Sequence, residues 1–391
     1  MRPGRTSLAA LIPGLIACLI LFTAQTARSK DVAKEPASAP GKVTNEDLEY
    51  IVLPGLFSTP ETGLGVGAGL FILSPPPEGE RGSRGNAIKI GAIYTEKKQF
   101  VARGLVERYL NSHRDHLSVS LNAQKYPDSF FGVGGDTEVK DEEKYTSLAW
   151  DIQARYLHEI NPAFHLGPQL VVSRERITGL KAGGFLQEQF DQRGRPITGV
   201  DPVALAGIGV VARHDTRDDL QDPDRGMFIE AGYLARAKFL GGEHEFTTAT
   251  IDMRGFVPLT DGIRPLRYAW NLLVTSLDGE PPFQQMAALG GRDNLRGYFL
   301  GRYRDRKMLA FQNELRLPLP GSAKWGAVAY AATGNVGHDW QELTGSTFKP
   351  AWGAGARYRI STAQRVNIRL DAAWGLRTPS PAYYLSLAEA F

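Results

Sequence analysis

Two kinds of chemistry could be built from the reactive side chains of this sequence: catalysis from histidines and carboxylates, or an ionic lock from an arginine and a carboxylate. His113 and His116 flank Asp115, His214 precedes Asp215, and His158, His165, His244 and His338 are scattered. No His-x-x-Glu-His or comparable ligand spacing occurs, and Asp222 and Asp224 near Gly226 are too few for a calcium loop. The glycines of 63–69 are not followed by the lysine and serine of a phosphate loop. No catalytic residue, metal or cofactor is therefore expected. The arginine chemistry is better supplied. Leu295-Arg296-Gly297-Tyr298 stands in the run GGRDNLRGYFLGRYRDR, which leads into an alternating strand reaching Leu317. Such a basic loop is solvated unless its aromatic residues pack against something. The sharper reading folds it into a hollow interior and sets Arg296 against a carboxylate on the wall. Which reading holds depends on whether the rest of the chain encloses an interior.

The elements that must do so are strands. In 366–374, Val366, Ile368, Leu370, Ala372 and Trp374 share one face while Asn367, Arg369 and Asp371 share the other. Trp352, Ala354, Ala356, Tyr358 and Ile360 oppose Gly353, Gly355, Arg357 and Arg359 in the same way. Leu309, Phe311, Leu315 and Leu317 oppose Gln312, Glu314 and Arg316, with Asn313 the one polar residue on the apolar side. A soluble sandwich points its charged face outward, whereas a membrane barrel turns the apolar face to lipid and the polar face to its lumen. Trp325, Trp352, Trp374, Tyr268 and Tyr383 fall near strand ends on the apolar side, as the aromatic girdles of a barrel do.

Turn signals divide the chain into segments near 50–57, 63–73, 87–95, 99–109, 115–125, 146–158, 163–174, 202–214, 226–239, 245–257, 266–278, 305–318, 325–334, 350–360, 364–376 and 382–391. That makes about sixteen, an even number as in bacterial single-chain barrels, each near the ~9 to 11 residues a tilted strand needs to cross a bilayer. The expected fold is an all-β, transmembrane antiparallel barrel over 48–391. Long connections at 126–145, 174–201, 278–303 and 335–349 fall on one side. Those at 159–162 and 361–363 on the other are short, and 74–86 is long for that side. On the last strand Tyr383, Leu385, Leu387 and Phe391 share a face that Glu389 interrupts. A terminal aromatic there resembles the signal read during outer-membrane protein assembly.

Composition agrees with strands and turns: 43 glycines, 24 prolines and 10% aromatic residues in 391, with no apolar run of helix-spanning character beyond the N-terminus. Arg2 and Arg5 precede an apolar run from Leu8 to Phe22 and small residues at 24–27, so 1–27 reads as a secretory signal and 28–47 as a disordered periplasmic tail. Cys18 is the only cysteine, which excludes a disulfide. Leu15-Ile16-Ala17-Cys18 resembles a lipoprotein cleavage box in which Cys18 would be acylated, although the apolar run continues past it. The net charge of +3, or +1 without Arg2 and Arg5, argues against a nucleic-acid partner.

Four segments together resemble the BamA/TamA superfamily, the bacterial surface antigen barrels that include the two-partner secretion transporters. Leu295-Arg296-Gly297-Tyr298 is similar to the family's (V/L)RG(F/Y) motif on the sixth outer loop. The run 213–226, RHDTRDDLQDPDRG, is similar to its turn motif, with Asp215, Arg217 and Asp218 followed by Pro223 and Gly226. LPGLFSTPETGLGVGAG at 53–69 resembles the opening of the short members, and 311–318 their E-x-R-x-P strand. The resemblance implies that the sixth loop enters the lumen, where Arg296 meets an acid on the wall. Glu314 matches that acid, and strand parity points it inward. A second acid is expected in an aromatic-x-Asp-x-Gly pattern, where Tyr330-Ala331-Ala332-Thr333-Gly334 has Ala332 instead, so the clamp should be weaker or rearranged.

Members that insert or secrete proteins carry periplasmic POTRA domains, and 28–47 is too short for one. The resemblance therefore implies a POTRA-less barrel in the outer membrane of a Gram-negative bacterium, monomeric, surrounded by lipid and dependent on a periplasmic or POTRA-bearing partner for client capture. Its expected role is an assembly-related or translocation channel plugged by the loop of Arg296. A passive pore or structural surface antigen, and an outer-membrane hydrolase, are the alternatives.

Overall fold

Period-two sequences bury alternate side chains, and a sheet built from them is stable only if both faces find a suitable medium. The computed structural model describes residues 48–74, 85–111, 113–262, 264–343, 347–361, 365–376, 378, 380–387 and 389–391. The expected signal at 1–27, the tail at 28–47 and most of the 74–86 connection lie outside them.

The wall begins with β1 (Glu49–Thr59), β2 (Gly63–Leu73), β3 (Ala87–Thr95), β4 (Phe100–Leu110), β5 (Asp115–Phe130), β6 (Glu143–Asn161), β7 (Phe164–Thr178) and β8 (Val203–Asp215). It continues through β9 (Gly226–Arg236), β10 (Phe246–Pro258) and β11 (Arg267–Gly279). A loop follows that carries the small strands β12 (Ala287–Leu289) and β13 (Tyr303–Asp305). The wall resumes with β14 (Lys307–Pro318), β15 (Trp325–Gly337), β16 (Lys349–Ser361), β17 (Val366–Gly375) and β18 (Ala382–Leu387). β11 pairs with β14 and β18 returns to β1, so sixteen antiparallel strands form a closed barrel. Closure pairs the backbone without water, which lets a sheet stand in lipid.

The faces are inverted relative to a soluble protein. Val66, Ile90, Leu121, Ile152, Leu170, Ile208, Ile251, Leu315 and Leu370 are exposed, while Gln312, Glu314, Arg316, Asn367, Arg369 and Asp371 are buried. Aromatics mark both ends of the apolar band. Trp352 lies opposite Trp374 at the end that carries the long loops. Trp325 lies opposite Tyr358 at the other end, with ring centroids 4.9 Å apart. Asn313, the polar residue of the apolar face, accepts a hydrogen bond from the hydroxyl of Tyr268 and so is not left bare toward lipid.

Three differences from the sequence-based expectations have physical causes. β5, β6 and β7 are 16, 19 and 15 residues long, beyond what a bilayer requires. Their outer ends stay paired because Phe130, Tyr145 and Ile177 pack with Leu186, Ile197 and Phe283 of the loops in a separate apolar cluster. The 3-10 turn Lys238–Leu240 and the bridge from β12 to β13 shorten two expected segments, 226–239 and 305–318, by removing their ends from the wall. The last strand stops at Leu387, and Phe391 does not share the face of Tyr383, Leu385 and Leu387. It turns inward beside Phe256 and Ala269. Continuing the strand would have set Glu389 toward lipid at a high cost, whereas inside it pairs with Arg357 at 2.7 Å and accepts from Asn367 at 2.8 Å.

Among the described residues the seam between β1 and β18 registers through a single pair, Ser58 opposite Leu385, while β1 and β2 register along their whole length. The inverted faces generate a direct prediction. Leu370→Arg puts a cation on the lipid side of β17 and should lower unfolding free energy by about 2–4 kcal/mol. Urea titration in lipid vesicles measures it, and an unchanged midpoint would contradict a lipid-facing exterior.

Candidate functional site

The connection from β11 to β14, residues 280–306, is built to stay inside the wall. β12 and β13 pair as a small hairpin, and a helical turn, Gly291–Asn294, leads to Leu295. Ala287, Leu289, Leu295, Tyr298 and Tyr303 of this loop form one buried cluster with Leu205, Phe246, Leu277, Met308, Ala332 and Val336, which come from five different wall strands. The interior is thus packed by the chain's own loop. Gly297 makes the close approach possible. Its φ is 100°, a left-handed value, and a Cβ there would lie 2.8 Å from the backbone carbon of Trp374. Its N–H donates to the Tyr384 hydroxyl at 3.1 Å. The Tyr298 hydroxyl donates to the Pro350 carbonyl at 2.9 Å and accepts from the Leu376 N–H at 3.2 Å.

This packing delivers Arg296, fully buried, to the inner wall. Its two terminal nitrogens diverge to two carboxylates, Nη1 to Asp371 Oδ2 at 2.9 Å and Nη2 to Glu314 Oε1. Its guanidinium lies 3.8 Å from the ring centroid of Tyr330, close enough for a cation–π contact. Each carboxylate is held in turn from the other side. Arg316 Nε donates to Glu314 at 2.8 Å, Arg357 Nη1 donates to Asp371 at 2.6 Å, and Arg369 Nε stands 3.4 Å from Asp371. Glu314 and Asp371 are fully buried, so these contacts act where water does not screen them.

Leu295, Arg296, Gly297, Tyr298 and Glu314 are brought together, and the second acid is Asp371. Its position was visible as a polar-face residue of 366–374, but nothing in the local pattern says that β17 stands across from the loop. Ala332 is the corresponding correction to the expected clamp. It lies in the apolar cluster with Leu289 and Leu295, so the clamp is rearranged onto another strand. Tyr330, Arg316 and Arg357 complete the site and were likewise not singled out.

The turn motif forms a second centre at the opposite end of the barrel. Arg217 makes a two-pronged contact to Asp215, at 2.9 Å for both pairs, and Asp218 accepts from the backbone N–H of Asp224 and Arg225. Gly226 has a φ of 105°, where a Cβ would meet the Thr216 carbonyl. Pro223 is buried beside Asp222. Near the long-loop end Glu61, in the turn after β1, accepts the Leu300 N–H at 2.7 Å, and burial pushes its carboxyl above the ordinary value. Arg302 donates to Thr137, tying the loop to the β5–β6 connection. His158 pairs with Asp115 at 2.6 Å at a strand end. Among the described residues no group of three or more His, Cys, Asp or Glu is placed to hold a metal.

These features define a membrane β-barrel whose charged inner wall grips one of its own loops. Residues 82–382 match the Omp85 superfamily domain, and the chain belongs to that superfamily. No curated protein sequence matches it. Among solved structures it is similar to BamA from Haemophilus ducreyi lacking POTRA domains 1–3, with a TM-score of 0.61 and 10% identity over 88% of this chain and 70% of that one. CdiB from Acinetobacter baumannii gives 0.57 and 12% identity over 88% and 60%, and CdiB from Escherichia coli 0.53 and 10% over 89% and 63%. The likeness at these identities is one of fold, and the chain spans less than two thirds of either CdiB chain.

Asp371→Asn removes one carboxylate and leaves Arg296, Arg357 and Arg369 facing an amide. The expected loss is about 3–5 kcal/mol of unfolding free energy, the cost of an uncompensated buried charge. Tryptophan-monitored urea unfolding reads it; a loss below ~1 kcal/mol, the range of exposed pairs, would mean that the charges are solvated.

Proposed function

We propose that the protein is a channel of the Gram-negative outer membrane, acting in translocation or assembly of protein substrates and held shut at rest by the loop of Arg296. The observation that carries the reading is the fully buried Arg296 between Glu314 and Asp371, with the loop's apolar residues packed inside the wall. Such a contact is all-or-none. Breaking it parts Arg296 from both carboxylates at once, while Arg316, Arg357 and Arg369 keep the carboxylates in place, so the loop is either seated or withdrawn. The long loops then face the exterior of the cell and the short turns the periplasm. The sparse register between β1 and β18 lies close to the same loop: Gly297 and Phe299 line one recess with Thr59, Pro60, Ala382 and Tyr383. A passive open pore is the less favoured reading, because the outer loops form an apolar cluster of their own across the end of β5, β6 and β7. Capture of a protein substrate is assigned to a periplasmic or POTRA-bearing partner, and lipid surrounds a monomeric barrel.

The test is conductance of the purified protein in planar bilayers. The wild type should be mostly closed, and Arg296→Ala should raise open probability on the order of tenfold, the equivalent of about 1.4 kcal/mol. Silence in both forms would overturn the channel reading.

A further inference from the structure

The turn between β8 and β9, residues 216–225, does something that the loop of Arg296 does not explain. Its Asp222 has no exposed surface. The Asp222 carboxylate accepts from Arg267 of β11 at 2.8 Å, from Arg359 of β16, and from Asn367 of β17 at 3.3 Å. Arg316 of β14 stands 3.9 Å away. Around the wall, β10, β11, β14 and β15 separate β9 from β16. A turn that reaches β16 and β17 therefore bends inward across the mouth instead of projecting from the rim. Its own hydrogen bonds shape it for this: Asp219 accepts the backbone N–H of Gln221 at 2.8 Å and of Asp222 at 2.9 Å, and Pro223 follows. From the facing rim, Arg365 donates to the Asp222 carbonyl at 3.2 Å and pairs with Asp224 at 2.9 Å.

The surroundings of Asp222 are rich in cations. The space beside it is lined by Arg264, Arg267, Arg316 and Arg357, with Glu389 as the other acid. Arg267 Nε, Arg316 Nη1 and Arg357 Nη2 are buried without a hydrogen-bond acceptor. The turn thus brings counter-charge to two wall arginines, Asp222 to Arg267 and Arg359, and Asp224 to Arg267 at 3.0 Å. The cation-rich surroundings also touch the first centre. Arg316 bonds Glu314, and Arg357 bonds Asp371, the two acids that hold Arg296.

We propose that this turn is a second latch, which closes the short-turn mouth by seating Asp222 among Arg267, Arg316 and Arg359, and which on leaving exposes an inlet selective for anions and acidic chain segments. When the turn leaves, Arg267 and Arg359 lose the carboxylates it brought them, and the same cations that held the turn then line the passage. The selectivity rests on the reading of the barrel as a conduit, whereas the docking of the turn does not, and two measurements separate them.

In planar bilayers under a potassium chloride gradient, Asp222→Asn should raise conductance several-fold over the wild type and move the reversal potential toward that of chloride. Adding Arg359→Gln should move it back. If Arg296→Ala conducts while Asp222→Asn behaves as the wild type, the latch is refuted and the channel reading stands. The second measurement needs no current. In a Cys18→Ser background, Pro223→Cys should react slowly with a charged maleimide, and adding Asp222→Asn should speed the reaction on the order of tenfold or more, because the buried arginines no longer hold the turn. Equal rates would refute the docking. If Asp222→Asn does not fold, as judged by heat-modifiable migration, Arg365→Gln takes its place in both assays, loosening the turn from the facing rim with the same expected directions and the same refuting results.

Discussion

A sheet that presents its outer face to lipid must send its charges inward, and every other feature of this barrel follows from that constraint. The strands alternate so that leucines, isoleucines and valines meet the bilayer, which leaves Glu314, Arg316, Arg357, Arg369 and Asp371 crowded in the interior. Charges that cannot reach water have to satisfy one another. The loop of Arg296 and the turn of Asp222 complete this mutual satisfaction from opposite ends. The same constraint explains the departure of the chain from strand geometry after Leu387, which takes Glu389 inside, and the Tyr268 hydroxyl that covers Asn313 on the lipid side.

The energetics explain why such a centre suits a lock. An exposed ion pair is worth about 0–1 kcal/mol and would hold a loop only loosely. An enclosed pair gains little net stability when complete, because desolvation offsets the attraction, but losing one partner costs about 3–5 kcal/mol. That asymmetry makes intermediate positions of the loop unfavourable. It also makes geometry decisive: Arg296 spans two carboxylates on β14 and β17 and lies over Tyr330, which a lysine with one compact charge does not reproduce.

The barrel was largely legible in the sequence because its code is local. Period two assigns each residue to a face, turn residues separate the strands, and the sixteen segments read this way correspond to the sixteen wall strands. Membership of the superfamily was legible in the motifs. The contents of the lumen were less so, since they depend on which strands stand opposite one another. Parity placed Asp371 on the polar face but could not bring β17 to the loop, and the family pattern, whose second acid falls at Ala332 of β15, pointed two strands away from Asp371. Asp222 was read as one acid among several in a turn, because no local signal says that a turn folds inward. Phe391 was assigned to the lipid face by parity alone, and the demand of Glu389 for Arg357 and Asn367 overrode that parity.

The account stands on Arg296 seating its loop inside the wall, and amide hydrogen exchange of the protein in lipid, wild type against Arg296→Ala, tests this most directly. We expect 287–305 to lose protection in the variant while the strand amides of β14 and β17 keep theirs, since the wall is held by its own ladder and the loop by the arginine. Unchanged protection across 287–305 would contradict it.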